Sequence, residues 1–384
     1  MIAERRLESC AAKPRIVAYA KSLGFDLVGV APAAPFLLEA AIFKQRRDRG
    51  FLGQWHYDDA RIEGNCNPAR TLPGAQSIIC TATSYLCDAA PHDPNAGGLR
   101  GAISSHAWGY DYHRTIGTRL RRLAQFIADE FDGAESVPCV DTGPLLDRAA
   151  AVRAGIGWFG KSGNVLTKEF GSYVLLGELI TTLRLEPDTP LRTNCGTCSQ
   201  CLPSCPTNAI HENGAVDSRR CISDLTQSKR PIPRELRAAI GNRLWGCDSC
   251  QTSCPVNMQK TGSGVPAFRP QPHIGTSMDL PSVLRMTKSE FRAWFGQTSM
   301  AWRGKAVLQR NAAVALGNSR DRRAVPHLIA ALQDRKPLVR GHAAWALGAL
   351  GGPQSRRALQ ELLSTETDAW VREEAELALS KATS

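Results

Sequence analysis

The chain has 384 residues, of which 43% are hydrophobic, so it is long enough for two or three domains with packed cores. No apolar run reaches the ~18 residues that span a bilayer, and no charged-then-apolar signal opens the sequence, so we expect a cytoplasmic protein outside the membrane. The formal net charge is +11, which is typical of proteins that contact nucleic acid.

Residues 1–186, the N-terminal region, alternate segments that favour strands with segments that favour helices. Ser77–Thr83 and Ser172–Ile180 are rich in β-forming residues, whereas Ile116–Phe131 and Leu145–Ala154 have helical patterns. Alternation of this kind predicts an α/β domain built on a mixed sheet.

Three residues of this region are candidates for acid–base chemistry. Asp141 follows the apolar run 137–140 and precedes a turn, so a desolvated Asp141 would have a raised pKa and could donate a proton near neutral pH. The alternative is that Asp141 caps the following helix or forms the turn itself. Asp111 and His113 form a second polar group, two residues apart.

Two motif matches in this region are misleading. Residues 155–162, the glycine segment, satisfy both the dinucleotide pattern and the phosphate-loop pattern, yet a helical stretch precedes them and β-forming residues follow. Since phosphate loops need the reverse order, we predict a glycine turn that approaches some other ligand. Asp111-Tyr112-His113 begins like the D-x-H-x-x-G pattern of a cobalamin-ligating histidine, but Ile116 stands where the glycine should be. Any cobalamin would lack that ligand here.

Eight of the thirteen cysteines fall into two blocks within residues 187–260, the cluster module. Three thiolates two residues apart wrap one corner of a 4Fe–4S cube, while the cysteine before a proline ligates the other cube. This rule assigns one cluster to Cys195, Cys198, Cys201 and Cys254. It assigns the second cluster to Cys205, Cys221, Cys247 and Cys250.

Cys221 enters the second set because Leu244 stands where the first ligand of that block should be. A pair of zinc ribbons is the alternative, since C-x-x-C pairs also suit zinc. The two Cys-Pro endings and the triple spacing favour iron–sulfur clusters. The other five cysteines are odd in number and irregularly spaced, which favours a reducing compartment over a disulfide framework.

The chain then becomes repetitive. Residues 261–276 are rich in Gly, Pro and Gln and predict a linker. In residues 277–384, the repeat region, the stretch 308–317 recurs as 339–348 and, more faintly, as 371–379. Helix pairs at this period stack into a HEAT-type solenoid, and a plain helical cap is the alternative.

The order of these motifs resembles the epoxyqueuosine reductase family over nearly the whole chain. The resemblance rests on both cysteine blocks and on residues 73–77, 107–113, 141–148, 154–162, 170–172, 177–178, 221–223 and 246–251. In that family, cobalamin and two 4Fe–4S clusters reduce the epoxide of epoxyqueuosine, at the wobble position of tRNA, to the alkene of queuosine. The resemblance implies that Asp141 donates a proton and that Asp111 and His113 belong to the active site.

The resemblance also implies the fold and the cofactor contacts. We expect an α+β protein with a mixed-sheet cobalamin-binding reductase domain, a ferredoxin-like module with two clusters, and C-terminal HEAT-like repeats. The cobalamin contacts that it implies are Gly64, Ser104, Asp141, Val165, Leu176, Ser223 and Asp248. The sequence departs from the family at Ser105-His106, Thr226-Gln227-Ser228 and Val256, where we would expect Arg-Tyr, Thr-Ile-Glu and Trp.

The partners that the resemblance implies are a tRNA anticodon loop carrying epoxyqueuosine and an external electron donor, with the chain acting as a monomer. The residues that we expect to contact phosphate are Lys229, Arg230, Arg310 and Arg340. Two other functions stay open from the residues: a cobalamin-dependent reductive dehalogenase, and a HEAT-repeat nucleic-acid-binding protein with structural clusters.

Overall fold

The computed structural model describes residues 2–93, 98–260, 262 and 265–381, with side chains described from residue 12 onward. Its fold is α+β, which confirms the predicted class. None of the helices in this part of the chain combines the length and the apolar character needed to span a bilayer.

Helices and strands alternate in the N-terminal region and give way to helices in the repeat region. The N-terminal region contains α1 (Ile2–Ser22), β1 (Leu27–Pro32), α2 (Leu37–Asp48), α3 (Asp59–Cys66), α4 (Pro68–Thr71), β2 (Ser77–Ser84), β3 (Arg100–Ile103), α5 (Tyr112–Glu130), β4 (Ser136–Cys139), α6 (Asp147–Arg153), β5 (Trp158–Phe159), β6 (Val165–Leu166) and β7 (Val174–Thr181). The cluster module contains α7 (Ile222–Gln227), α8 (Arg234–Arg237), β8 (Arg243–Trp245) and α9 (Ser249–Thr252). The repeat region contains β9 (Ser277–Asp279), α10 (Leu280–Arg285), α11 (Lys288–Phe295), α12 (Lys305–Asn318), α13 (Val325–Ala331), α14 (Pro337–Leu350), α15 (Pro353–Thr365) and α16 (Ala369–Lys381).

Among the described residues, a four-stranded antiparallel sheet in the order β1-β2-β7-β4 forms the centre of the N-terminal region. Alternate residues of a strand point to opposite faces of the sheet. Ile78 of β2 packs with α6 on one face, and Ile79 packs with α1 and α5 on the other. Because both faces are covered, every residue of β2 is buried. The sheet edge near β4 leads directly into the turn that carries Asp141.

Helix α5 begins at Tyr112, four residues before the predicted start. Asp111 caps it by accepting a hydrogen bond from the backbone NH of His113 at 3.0 Å. The buried face recurs every three or four residues, as expected for a helix packed on a sheet. Its buried residues are Ile116, Gly117, Leu120, Leu123 and Ile127. The cap therefore fixes His113 in the first turn, at the end of α5 that faces the candidate site.

A second sheet, in the order β8-β3-β9, joins the three parts of the chain. Strand β3 pairs in parallel with β8 and antiparallel with β9, so this sheet is mixed. The mixed sheet that the sequence predicts is present, and it ties the N-terminal region to the cluster module and the repeat region.

The predicted linker is packed rather than loose in its described part. Phe268 is 3% exposed and belongs to the core around α5, while Ile274 is 2% exposed and packs into the core of the repeat region. Its Gly and Pro content indicates irregular backbone, but the side chains of Phe268 and Ile274 attach this backbone to two cores. The prediction of a linker was therefore wrong for these residues.

Helices α12, α14 and α16 coincide with the three repeated stretches and pack side by side. The glycine that ends the shared Ala-Leu-Gly motif is needed for this packing. A Cβ added at Gly317 would lie 2.8 Å from Ala346, and one added at Gly348 would lie 2.6 Å from Ala378. The repeat in the sequence therefore records a close approach of successive helices.

The repeat region is docked on the cluster module through buried polar contacts. Arg237 donates to Glu374 at 2.8 Å, and each side chain is only 1% exposed. Asn311 donates to the backbone carbonyls of Thr226 and Leu244, both at 2.8 Å. These contacts hold the repeats against α7 and β8, and therefore close to the second set of cysteines.

Candidate active site and cluster centres

Within the described residues, the thiols that shift one another's pKa belong to the same predicted set. Burial raises the pKa of the Cys201 thiol, and nearby thiols raise it further: those of Cys195, Cys254 and Cys198. Burial likewise raises the pKa of the Cys250 thiol, together with the thiols of Cys247, Cys221 and Cys205. The thiol neighbours of Cys201 and of Cys250 therefore belong to their own predicted sets, and the assignment of all eight ligands stays a prediction.

These sets have the chemistry of iron–sulfur ligands. Burial raises the pKa of Cys221 to about 11, so an isolated thiol there would stay protonated at neutral pH. A cationic metal centre reverses this preference, because coordination stabilises the thiolate. The four cysteines of the first set line one cavity together with residues of the glycine segment, and Cys250 of the second set borders the same cavity. The residues therefore fit two clusters, one in each set.

The glycine segment supports the first cysteine block and has no nucleotide-loop geometry. Helix α6 precedes it, β5 lies inside it and β6 follows it, which is the reverse of strand, loop and helix. Lys161, the lysine of the apparent phosphate loop, donates to the backbone carbonyls of Gly196 at 3.0 Å and Cys198 at 2.9 Å. Its ammonium group therefore holds the cysteine loop in place.

The three acid–base candidates form one hydrogen-bonded chain. His113 Nδ1 lies 2.8 Å from Asp111 Oδ1, and His113 Nε2 lies 3.2 Å from Asp141 Oδ2. Tyr112 donates its hydroxyl to the same Asp141 oxygen at 2.8 Å, and its ring stacks on the His113 ring. An imidazole held between two carboxylates can carry a proton from one end of such a chain to the other.

Asp141 occupies an exposed turn after β4. Its φ of +45° lies in the left-handed region, which is uncommon for a residue other than glycine and is seen at functional sites. Its side chain is 52% exposed, so one carboxylate oxygen is available to a ligand. The helix-cap alternative was wrong, because α6 begins after Leu146 and has no side-chain cap.

The predicted rise in the pKa of Asp141 was also wrong. Burial opposes ionisation, but the hydrogen bonds from His113 and Tyr112 and the charge of His113 hold the pKa of Asp141 below its usual value. For His113, burial favours the neutral ring, yet the hydrogen bonds to Asp111 and Asp141 raise its pKa to about 9. At neutral pH the proton therefore rests on His113, between two carboxylates. Tyr112 was missed from the sequence, although its place between Asp111 and His113 in a helix start could have indicated it.

Two of the predicted cobalamin contacts are hydrogen-bonded to each other. Ser104, at the end of β3, donates its hydroxyl to Asp248, which follows Cys247. The backbone NH of Ser105 donates to the other oxygen of Asp248 at 2.8 Å. A Cβ on Gly246 would lie 2.5 Å from the Ser104 Cβ, so only glycine permits this approach. This loop contact places the Asp248 carboxylate beside the second set of cysteines.

His106, a departure from the family pattern, lies between this loop contact and the hydrogen-bonded chain of Asp111, His113 and Asp141, which we call the proton-carrying group. Its Nδ1 lies 2.8 Å from the Ser104 hydroxyl. Burial lowers the pKa of His106, against the charges of Asp248 and Asp141, which raise it. His106 therefore lies within the electrostatic reach of both groups.

The other predicted cobalamin contacts lie on separate elements. They are Gly64 on α3, Val165 on β6, Leu176 on β7 and Ser223 on α7. Space is open at Gly64, where an added Cβ would meet nothing within 4 Å. Ser105 Oγ is shielded from solvent and has no hydrogen-bond partner among the described residues. A hydroxyl without a partner beside Asp248 fits a large polar cofactor, which could accept its hydrogen bond. His113 is unavailable as a metal ligand, because Asp111 and Asp141 engage both of its ring nitrogens.

Glu178 of β7 is a further residue that the sequence did not reveal. It is fully buried, and neither carboxylate oxygen has a hydrogen-bond partner in the described part of the chain. Burial and the charges of Asp147 and Asp141 raise its pKa well above the usual value. Its surroundings in the core therefore favour the neutral form of the carboxyl group.

Two of the four predicted phosphate contacts are wrong. Arg310 is fully buried and donates to the backbone carbonyls of Arg230 at 2.7 Å and Ser228 at 2.8 Å. Arg340 is engaged in a two-pronged pair with Glu366, at 2.6 and 2.8 Å. Arg310 therefore joins the repeat region to the cluster module, and Arg340 forms an ion pair within the repeat region. Lys229 and Arg230 are exposed at the end of α7 and stay predictions.

Comparison with known protein families identifies three matching parts. Residues 66–142 match the family described as epoxyqueuosine reductase QueG, DUF1730. Residues 194–257 match a 4Fe-4S double cluster binding domain, which confirms the iron–sulfur interpretation over zinc ribbons. Residues 303–380 match HEAT repeats, which confirms the solenoid over a plain helical cap.

Characterised relatives resemble the chain over almost its full length. The epoxyqueuosine reductase of Bacillus cereus is 40% identical over 366 residues, which cover 94% of this chain and 95% of the relative. That of Bacillus subtilis is 39% identical over 374 residues, which cover 96% of this chain and 94% of the relative.

Solved structures agree with these relatives. A crystal structure of epoxyqueuosine reductase with an epoxyqueuosine-modified tRNA-Tyr stem loop has a TM-score of 0.91 at 38% identity and covers 97% of this chain and 99% of its own. The epoxyqueuosine reductase of Streptococcus thermophilus has a TM-score of 0.87 at 34% identity and covers 97% of this chain and 100% of its own.

Proposed function

The chain belongs to the epoxyqueuosine reductase family, and on that premise we propose that it reduces epoxyqueuosine in tRNA to queuosine. The observation that carries the proposal is the exposed Asp141 carboxylate, hydrogen-bonded to a protonated His113 and electrostatically coupled to the loop beside the second set of cysteines. Acid chemistry and electron delivery therefore converge on one place.

Electrons reach this place through the cluster module. The 4Fe-4S double cluster domain supplies two one-electron carriers, and we assign their ligands to the two cysteine sets described above. Lys161 positions the first cysteine block by holding two of its carbonyls. The second set lies beside Asp248, so a cluster held there would be the electron carrier next to the proposed cobalamin contacts Ser104 and Asp248.

We assign cobalamin as the third cofactor, held by the loop contact between Ser104 and Asp248, by the free Ser105 hydroxyl and by the open surface at Gly64. When bound, cobalamin supplies a strongly reducing, nucleophilic cobalt centre, which protein side chains cannot provide. The remaining predicted contacts, Val165, Leu176, Ser223 and Asp141, complete the proposed site. Ser104 and Asp248 would hold the cofactor beside the second set of cysteines, and both His113 nitrogens are engaged by carboxylates, so they serve proton transfer.

The protein side chains supply the proton. Conversion of an epoxide to an alkene takes two electrons and two protons and releases water. Asp141 is the exposed member of the chain of hydrogen bonds, so it passes the proton stored on His113 to the departing oxygen, and solvent supplies the second proton that releases this oxygen as water. Asp111 holds the imidazole in the orientation that points Nε2 at Asp141.

The tRNA presents its anticodon loop as splayed single-stranded nucleotides, because an epoxide buried in a stacked loop could not reach Asp141. The exposed Lys229 and Arg230 follow α7 and are suited to bind the loop's phosphates. An external electron donor, a monomeric state and a cytoplasmic location belong to the same proposal.

Anaerobic metal analysis and turnover test the proposal together. Protein reconstituted with iron, sulfide and cobalamin should contain about eight irons and one cobalt per chain, and should convert epoxyqueuosine-containing tRNA when reduced. Nucleoside mass spectrometry detects the product. Iron without cobalt binding and without conversion would contradict the proposal and would favour a nucleic-acid-binding protein with structural clusters. Conversion of an organohalide alone would favour the dehalogenase.

A further inference from the structure

An exposed aromatic platform joins the N-terminal region to the start of the repeats. It consists of Trp55, Trp302 and Arg303, which we call the tryptophan platform. The two indoles are nearly parallel, with ring centroids 5.9 Å apart and an angle of 12° between their planes. The Arg303 guanidinium carbon lies 3.5 Å from the Trp302 ring centroid and 4.9 Å from that of Trp55. Trp55 is 38% exposed and Trp302 is 50% exposed.

The platform is anchored to the helix that carries a predicted cluster ligand. Trp55 donates its indole NH to Asp224 Oδ1 at 2.7 Å. Asp224 lies in α7, three residues after Cys221 and next to Ser223, a proposed cobalamin contact. The Trp302 backbone belongs to a short 3-10 helix directly before α12. The platform is therefore linked through Trp55 to the helix that carries Ser223 and follows Cys221.

Positive charge surrounds the platform. Within the described residues, Arg303 Nε and Nη2 are shielded from solvent and have no hydrogen-bond acceptor, so burial lowers the pKa of Arg303, while Asp224 and the two ring contacts act in the opposite direction. Gly53 packs against Ser218 and Asp224, which brings the adjoining segment with Arg49 beside Arg219. Both of these arginines are exposed and lie over the Phe51 ring, at 4.3 and 5.5 Å; Arg219 is also paired with Asp217 at 2.8 Å, whereas Arg49 is the other cation of this segment. A surface of this kind complements a phosphate backbone.

We propose that the tryptophan platform binds an unpaired nucleobase of the tRNA anticodon loop by stacking. Proteins that hold splayed RNA loops use aromatic rings and arginine planes as stacking surfaces, because every base offers a flat face. A purely structural clip between the two regions would bury the indoles, whereas half of Trp302 is open to solvent. The inference rests on the proposed function and adds the place where a base outside the reacting position is held.

Trp302→Ala tests the platform without removing the Asp224 hydrogen bond. One base stacked on an aromatic ring is worth about five- to 150-fold in affinity, so Trp302→Ala should weaken binding of a fluorescein-labelled anticodon stem–loop within that range. Trp302→Phe should recover much of the affinity, because phenylalanine keeps a stacking face. Leu377→Ala removes an apolar side chain of 40% exposure from α16 and should leave binding unchanged.

A second readout separates stacking from a loss of stability. A stem–loop carrying 2-aminopurine at each unpaired position in turn should show quenching with wild-type protein at one position, and Trp302→Ala should abolish that quenching alone. A duplex RNA without unpaired bases should bind both proteins equally. Circular dichroism and iron content establish that the variants are folded.

Two results would overturn the inference while leaving the proposed function intact. In the first, the wild-type protein converts epoxyqueuosine, but Trp302→Ala binds the stem–loop with an affinity within two-fold of the wild type. The other is unchanged RNA affinity with slower cluster reduction by a protein electron donor, which would assign the surface to that donor. If the wild-type protein neither binds nor converts the modified tRNA, the proposed function itself fails.

Discussion

At the scale of single residues, the proton-carrying group is the feature that geometry explains and sequence alone misjudges. The sequence placed Asp141, Asp111 and His113 in one site, and the hydrogen bonds join all three. The side chain that stores the proton is nevertheless His113, because two carboxylates favour its cation more than burial opposes it. Asp141 is the residue through which the proton leaves for the substrate. Its lowered pKa means that the carboxylate is ionised before it receives a proton from His113.

The rate of the chemical step should therefore fall at alkaline pH. The pKa of His113 is raised to about 9, so the imidazolium persists through neutral pH and is lost as the pH rises through that value. We predict a single-turnover rate that is level around neutrality and decreases above about pH 9. His113→Asn should be slower and should lose this alkaline limb. An identical limb in the variant would show that another group titrates.

Cys221 offers a test of the ligand assignment. We predict that Cys221→Ala lowers the iron content from about eight to about four per chain, because Leu244 cannot ligate in its place. Anaerobic iron analysis and the electron paramagnetic resonance spectrum of the reduced protein measure this loss. Cys87→Ala, a half-buried cysteine outside both sets, serves as the matched control and should keep all its iron. Unchanged iron in Cys221→Ala would refute the assignment.

At the scale of elements, close helix packing explains why the repeats end in glycine. Gly317 of α12 lies against α14, and Gly348 of α14 lies against α16. In both places the neighbouring helix leaves no room for a Cβ. Helix α5 contains a buried glycine too, but its surroundings differ: an added Cβ at Gly117 would meet only the tip of Arg121, at 3.5 Å. The same substitution should therefore have opposite effects in the two helices.

We predict that Gly317→Ala destabilises the protein and that Gly117→Ala stabilises it. Alanine is favoured over glycine inside a helix by up to about 1 kcal/mol, which Gly117→Ala should gain. At Gly317 the contact at 2.8 Å with Ala346 forces the helices apart, and overpacking of this kind costs about 1–3 kcal/mol. Thermal unfolding of the two variants measures the difference. A higher melting temperature for Gly317→Ala would contradict the packing argument.

At the scale of the whole molecule, the repeats and the cluster module form one buried interface. The pair between Arg237 and Glu374 is only 1% exposed on each side, and Arg310 satisfies the carbonyls of the segment after α7. The repeats thereby fix α7, which carries Cys221 and Asp224. The repeats therefore stabilise the position of α7 in the cluster module and also extend the surface of the molecule.

Glu374→Gln should weaken this interface strongly. Removing one partner of a buried ion pair leaves the other charge uncompensated and costs about 3–5 kcal/mol. We predict a large fall in the free energy of unfolding for Glu374→Gln, measured by urea denaturation. Glu361→Gln breaks the exposed pair with Arg357, whose side chains are 64% and 83% exposed, and should cost about 0.5 kcal/mol or less. Equal effects of the two variants would contradict the buried interface.

Much of this architecture could be predicted from local signals. Cysteine spacing gave the two sets, and the recurring Ala-Leu-Gly motif gave the repeats. β2 at Ser77–Ser84 matches its β-forming segment closely. The features that could not be predicted depend on contacts distant in the chain. Arg310 looks like a surface arginine in its helix and is buried only because the cluster module covers it.

The same reason explains the misjudged pKa of Asp141. Its ionisation depends on His113 and Tyr112, which are 28 and 29 residues away in the chain and reach it only when α5 docks on the sheet. The burial of Phe268 in the predicted linker likewise follows from packing against α5. Composition indicates where the backbone is irregular, but it does not indicate which neighbours cover it.

The central claim is that the chain reduces epoxyqueuosine with a proton delivered through Asp141, and single-turnover conversion of epoxyqueuosine-containing tRNA by reduced Asp141→Asn tests it most directly. Asparagine is nearly isosteric, so the variant should keep its iron, its cobalamin and its affinity for the stem–loop. Loss of a positioned general acid should slow conversion by about 10²- to 10⁴-fold relative to the wild type, as followed by nucleoside mass spectrometry. Conversion within a few-fold of wild type, or no conversion by the fully loaded wild-type protein, would contradict the claim.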